Sequence, residues 1–213
     1  MPEDRLLIVP GHGGPDRGAC ANDIEEAAYV LQTARLLRSA LIRGGYPRLW
    51  VTLGREVDDE PFGLYKRARI ARREDVDMVL SLHLDAAVYD RDRSGMMAYN
   101  YPGNNRMFEV GRQVIRAAPE GLRSMDNVSR ETNPYQWPRA HKLLGTYHCD
   151  ALLVEMGFVT NPVDAKLLLD MGVRDALVAA LVVGVCHWRR LRSANRQGSN
   201  GQHQGADHKD SLH

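Results

Sequence analysis

The sequence predicts an α/β fold: one domain built on a mostly parallel central sheet, with helices on both faces. Three observations carry this. Short apolar runs alternate with amphipathic stretches from Leu6 onward. One run, Met78–Leu84, is apolar at nearly every position, as expected of a central strand covered on both sides. The 213-residue length, with 44% hydrophobic and 26% charged residues, suits a single soluble domain with its own core.

The elements follow in order. Leu6–Pro10 is an apolar run ending in Pro-Gly, which reads as a buried strand entering a loop. Ile24 to Arg43 reads as a helix, because Ala27, Val30, Leu31, Ala34, Leu37 and Leu41 recur at three- and four-residue spacing. Asp23 is placed to cap it and Gly44-Gly45 to stop it. Leu49–Leu53 is a second strand, and Pro61–Arg73 a helix with a basic outer face. Met78–Leu84 and Met96–Tyr101 are the third and fourth strands, and Asn104–Ala118 is a helix ended by Pro119. From Glu120 to Arg139 the periodicity lapses, which reads as a long surface loop; loops of that length in compact domains are often functional. Ala151–Val154 is a strand, Pro162–Asp170 a short helix, and Val173–Leu191 a longer helix with a strongly apolar face. Residues 1–192 therefore read as one domain. Ser193–His213 turns polar and loses all periodicity, so a disordered tail is expected there.

The formal net charge of +1 argues against nucleic acid or an acidic membrane surface as a partner. Three widely spaced cysteines form neither a disulfide framework nor a CxxC metal pair. The apolar run Leu6–Val9 is too short for a signal peptide and follows acidic residues. No run approaches the ~18 consecutive apolar residues of a membrane span. A chain without a signal peptide, made in the cytoplasm and acting as a monomer, is the expectation.

Four segments carry chemistry. Pro10-Gly11-His12-Gly13-Gly14 follows the first strand, and its glycines let the backbone come close to a bound group. Glu25-Glu26 opens the next helix, where acidic residues also suit the helix dipole. Ser81-Leu82-His83-Leu84-Asp85 ends the most apolar strand, where an imidazole must find a partner or a metal. Two histidines and one carboxylate form the ligand set of catalytic zinc sites that keep one position open. Glu155, in the run Leu152-Leu153-Val154-Glu155, is a carboxylate at the end of an otherwise apolar strand. Such a group is either paired or raised in pKa, and the second state suits a general acid and base. Together these residues point to a zinc hydrolase, with either glutamate of the pair as the third ligand.

PGHGGPDRGA, IEE at a helix start, RARIARREDVDMVLSLHLDA and ALLVEMGFVTN together resemble the catalytic domain of zinc N-acetylmuramoyl-L-alanine amidases of the amidase type 3 group. The resemblance runs from about Leu6 to Leu191. It implies one Zn2+ held by His12, Glu26 and His83, with Glu155 as the catalytic acid and base. Glu26 is preferred to Glu25 because Leu31 and Ala34 then fall where the family pattern has its helix Leu and Ala. The implied substrate is peptidoglycan, cut between N-acetylmuramic acid and L-alanine. Two positions depart from the pattern. Asp85 stands where the family usually has Asn, and Arg72 where Asn usually follows the helix Ile-Ala. Asp85, and Trp137 in the long loop, are the residues expected to meet substrate. The implied setting is an autolysin or a phage endolysin released through a holin. A zinc peptidase or deacylase on a related scaffold, and a non-catalytic wall-binding module, are the competing readings.

Overall fold

A computed structural model describes residues 4–58, 60–123, 129–132 and 138–203. In chain order the elements are β1 (Leu6–Pro10), β2 (Cys20–Ala21), β3 (Ile24–Glu25), α1 (Glu26–Arg43), β4 (Val51–Leu53), α2 (Leu64–Arg73), β5 (Met78–Asp85), β6 (Met97–Asn100), α3 (Asn105–Ala117), β7 (Ser129–Glu131), α4 (Pro138–Gly145), β8 (Asp150–Phe158), α5 (Pro162–Leu169) and α6 (Met171–His203). Six strands make one sheet in the order β4-β1-β5-β8-β6-β7. The strands β4, β1, β5 and β8 run parallel, while β6 is antiparallel to β8. The α/β class with a mostly parallel sheet is thus the one expected.

Strand alternation sorts the core into two layers. Leu6, Ile8, Leu80, Leu82, Leu152 and Val154 face α1, α3 and α6, meeting Val30, Leu37, Val110, Val114, Leu181 and Trp188. Leu7, Val9, Val79, Met97 and Leu153 face the other way, under Phe62 and Ala71 on one side and Leu143 and Leu144 on the other. The second layer is thinner, with α2 and α4 as its covering helices, and the candidate site lies on this face. Trp188 is fully buried and its indole N–H donates to Asp150 at 2.9 Å, tying α6 to the base of β8.

Several boundaries differ from the expectation, each for a local reason. The first helix begins at Glu26, not Ile24, because β2 and β3 form a small antiparallel hairpin. Its two turn residues, Asn22 and Asp23, take φ of 48° and 60°, the doubly left-handed turn that matches strand twist. Asp23 is therefore a turn residue rather than a cap. The span 120–139 is not one loop. It holds a short 3-10 turn at Glu120–Leu122, the edge strand β7 paired parallel to β6, and the start of α4. Trp137, with Tyr135, lies outside the described residues.

The largest difference is at the C-terminus. Helix α6 does not stop near Leu191 or fray at Ser193 but continues to His203. Beyond its apolar segment it is joined to the domain by ion pairs: Arg189, Arg192 and Arg196 all approach the buried carboxylate of Asp4, and Arg192 also meets Asp77. Composition alone misses this, because the apolar face ends where the charged one takes over. Residues 204–213 lie outside the described residues. Met171–Gln197 is long and apolar enough to cross a bilayer by composition, yet Leu177, Leu181, Val185 and Trp188 are fully buried against the sheet-side layer, as in a core helix.

Truncation after Arg192 should remove Arg196 while leaving Asp4 with Arg189 and Arg192. Partly exposed ion pairs contribute about 0–1 kcal/mol. At ~2–4 °C per kcal/mol for a chain of this size, the melting temperature should fall by no more than a few degrees. Differential scanning calorimetry of the two lengths checks this; a loss near ten degrees would show that 193–203 is part of the core.

Candidate active site

The site gathers where β1, β5 and β8 reach their C-terminal ends, the usual place for ligands in open α/β sheets. β1 is buried along its whole length and delivers Gly11, whose N–H still pairs with the Leu82 carbonyl at 2.9 Å. The His83 ring occupies the space beside Gly11. A Cβ on Gly11 would lie 2.4 Å from His83 Cε1, so glycine is what lets the imidazole lie against the neighbouring strand. His12 then turns into the left-handed region at φ 58°, which sends its ring away from β1.

Glu26 is the first residue of α1 and is almost completely buried. Its Oε1 lies 3.0 Å from His12 Nε2 and 3.0 Å from His83 Nδ1. The same oxygen accepts from the Leu84 N–H at 3.1 Å, and Oε2 accepts from Ala19 N–H at 2.8 Å. The carboxylate is thus fixed at both ends, and one donor atom from each of His12, Glu26 and His83 falls within 4.8 Å of the others. Gly18 closes the other side: at φ +69° a Cβ there would come within 2.6 Å of Glu26 Oε2. Glu25 points elsewhere, held by Arg17 at 2.6 Å from its Nε. Of the two adjacent glutamates, Glu26 is the one between the imidazoles.

Glu155 pairs in register with His83 across β5 and β8, so the two side chains emerge side by side on the same face. The family comparison now bears on this arrangement: a model described as N-acetylmuramoyl-L-alanine amidase matches residues 6–187. The chain belongs to the N-acetylmuramoyl-L-alanine amidase family. Among curated relatives it is similar to the amidase CwlM of Bacillus licheniformis, 34% identical over 77% of this chain and 60% of that protein. It is also similar to the probable cell wall amidase LytH of Staphylococcus aureus, 30% identical over 84% of this chain and 56% of that one. The chain therefore spans less than two thirds of those relatives. A solved N-acetylmuramoyl-L-alanine amidase from Clostridium difficile 630 shares the fold at a TM-score of 0.77, covering 89% of this chain and 98% of that one at 24% identity.

The electrostatics of this amidase-family site divide its carboxyls into two kinds. Burial works against ionising Glu26, but the hydrogen bonds and charge of His12 and His83 outweigh it and hold its carboxyl far below the usual range. Glu155 moves the opposite way. Burial, then the like charges of Asp85 and Glu26, push it well above the ordinary carboxylate value, and its Oε2 has no hydrogen-bond partner among the described residues. Asp85 is also raised, by burial first, against the opposing Ala86 N–H that it accepts at 2.7 Å. One carboxylate is built to stay charged beside the imidazoles, and one to hold a proton next to them.

Of the residues expected from sequence, His12, Glu26, His83, Glu155 and Asp85 converge, while Trp137 is outside the described residues. Two functional neighbours were not foreseen. Asp16 Oδ1 sits 2.9 Å from His12 Nδ1, at ion-pair distance though without hydrogen-bond alignment. A carboxylate against the second nitrogen of an imidazole orients the ring and raises its basicity. The signal was present in the Gly-rich segment, as an acidic residue one turn after the histidine. The other neighbour is Arg55, a buried cation that nothing in its surrounding sequence marks.

Proposed function

We propose that this chain is a zinc-dependent N-acetylmuramoyl-L-alanine amidase. It cuts the amide between the lactyl group of muramic acid and the L-alanine of the stem peptide, and so degrades peptidoglycan. The observation that carries the reading is the convergence of two imidazoles and a buried carboxylate within 4.8 Å, with Glu155 in register beside them.

The donor set fits zinc. Ligand atoms of a tetrahedral zinc site stand roughly 3.3 Å apart, given bonds of ~2.0–2.1 Å, and both imidazole nitrogens here lie 3.0 Å from Glu26 Oε1. Bound zinc would polarise the scissile carbonyl and lower the pKa of water. The remaining work falls to the protein. Glu155, as the carboxylate, takes a proton from the attacking water and hands it to the leaving nitrogen, so that the stem peptide departs with the amine of its L-alanine free. Asp16 holds the His12 ring. Asp85 supplies part of the field that raises the proton affinity of Glu155.

The test combines metal analysis with product identification. Purified protein should contain one zinc per chain, and digestion of purified peptidoglycan should release new N-terminal L-alanine. A chelator should abolish release, and one equivalent of zinc should restore it. New reducing sugar ends, N-termini other than alanine, or full turnover in metal-free protein would each overturn the proposal.

A further inference from the structure

We infer that Arg55 is a positioning residue for the metal site, setting the separation between the two segments that carry His12 and Glu26. This rests on the zinc reading above. Arg55 follows β4 and Gly54, and only 1% of it is exposed. Its Nη2 donates to the Gly11 carbonyl at 3.0 Å and to the Ala27 carbonyl at 2.6 Å. Gly11 directly precedes His12, and Ala27 directly follows Glu26. One nitrogen therefore joins the backbone of both segments next to the proposed ligands.

The other arm secures the same loop from outside. Arg55 Nη1 donates to the Val57 carbonyl at 3.2 Å and to Asp58 Oδ1 at 3.1 Å. The Asp58 carbonyl in turn accepts from Gly14 N–H at 2.7 Å. His12 is thus held on both sides, through Gly11 by Arg55 and through Gly14 by the segment that Arg55 organises. This matters because His12 has a left-handed backbone, which is strained for a non-glycine residue and persists only where the surroundings enforce it. Gly13 makes room for the clamp: a Cβ there would meet Arg55 Nε at 2.9 Å.

A purely structural role would be served by an apolar side chain. Taking a guanidinium out of water costs several kcal/mol unless its donors are met, and replacing buried charges by packed apolar groups is often neutral. What an apolar residue cannot do is bond two carbonyls from separate segments at once. The guanidinium does so through Nη2 while Nη1 holds Val57 and Asp58, and the single ammonium of lysine can replace only part of these bonds.

The experiment measures zinc affinity of the metal-free chain by competition with a chromophoric chelator, for wild type, Arg55→Lys and Arg55→Met. The cobalt-loaded absorption spectrum and the melting temperature of the apoprotein are recorded alongside. Removing a residue that orients metal ligands typically costs ~10–100-fold in affinity. Arg55→Met should fall in that range with an altered cobalt spectrum, and Arg55→Lys should recover part of both. If Arg55→Met does not fold, the Lys variant carries the test, and it too should bind zinc more weakly than wild type. Unchanged zinc affinity and an unchanged cobalt spectrum, with only the melting temperature lowered, would overturn the inference. Failure of wild type to bind one zinc, or equal binding by His12→Ala, would instead overturn the metal reading beneath it.

Discussion

Glu155→Gln should reduce turnover of peptidoglycan by ~10²–10⁴-fold while one zinc stays bound and the fold is kept. Glutamine has nearly the shape of glutamic acid, and β8 is paired on both sides at this position, to His83 and to Met97. The backbone has no reason to move. What is lost is the ability to take and return a proton, and a group serving both steps belongs at the upper end of that range. Single-turnover kinetics with metal analysis of the same sample checks this. Near-normal turnover with zinc bound would make Glu155 structural and move the proton to Asp85.

The same substitution should stabilise the metal-free protein, and the sign follows from the pKa. Burial and the charges of Asp85 and Glu26 raise Glu155 well above its unfolded value. Between those two values the folded state binds the proton and the unfolded state does not. The folded state therefore loses stability as pH rises through that window. Glutamine carries no such penalty. The gain in melting temperature from Glu155→Gln should be small near pH 4 and larger at pH 8, so that a residue costly to the fold is essential to the reaction.

Gly11→Ala should destroy the metal site with little change in chemistry. The new methyl would sit 2.4 Å from His83 Cε1 and 2.6 Å from Nδ1. The strands cannot separate to make room, since Gly11 N–H bonds the Leu82 carbonyl at 2.9 Å and Leu82 has no exposed surface. The ring must rotate out or the core must distort, and overpacking of this kind typically costs ~1–3 kcal/mol. Zinc affinity should fall at least as far as on losing an orienting residue, ~100-fold. The double variant Gly11→Ala/His83→Ala separates the two effects. Removing the ring should restore much of the melting temperature but none of the zinc binding, giving a strong coupling energy between the two positions. Full zinc affinity in Gly11→Ala would show that the ring has another place to go.

The proposed ligands and the acid/base group were legible because each breaks a pattern. His83 and Glu155 interrupt apolar strands, and His12 interrupts a run of glycines. The parallel sheet was legible for the same reason, through the regular alternation of runs. What stayed hidden depends on pairing and not on composition. The hairpin before α1 lacks the Asn-Gly signal, because Asn22-Asp23 reaches the same turn with two residues that tolerate positive φ. β7 is three residues long and takes its identity from β6 alone. Arg55 reads as an ordinary surface cation, since arginines are rarely fully buried unless paired. The continuation of α6 was missed because its arginines pair with Asp4 and Asp77, carboxylates distant in sequence.

The strand order also bears on when the candidate site becomes complete. The residues proposed to hold zinc are all synthesised by the end of β5, but β8 inserts afterwards between β5 and β6, which until then have no partner on that side. Domains generally fold as units. A chain ending before β8 would carry His12, Glu26 and His83 and still lack Glu155. On the proposed reading, the acid/base group joins the site only when this late strand seats in the middle of the sheet.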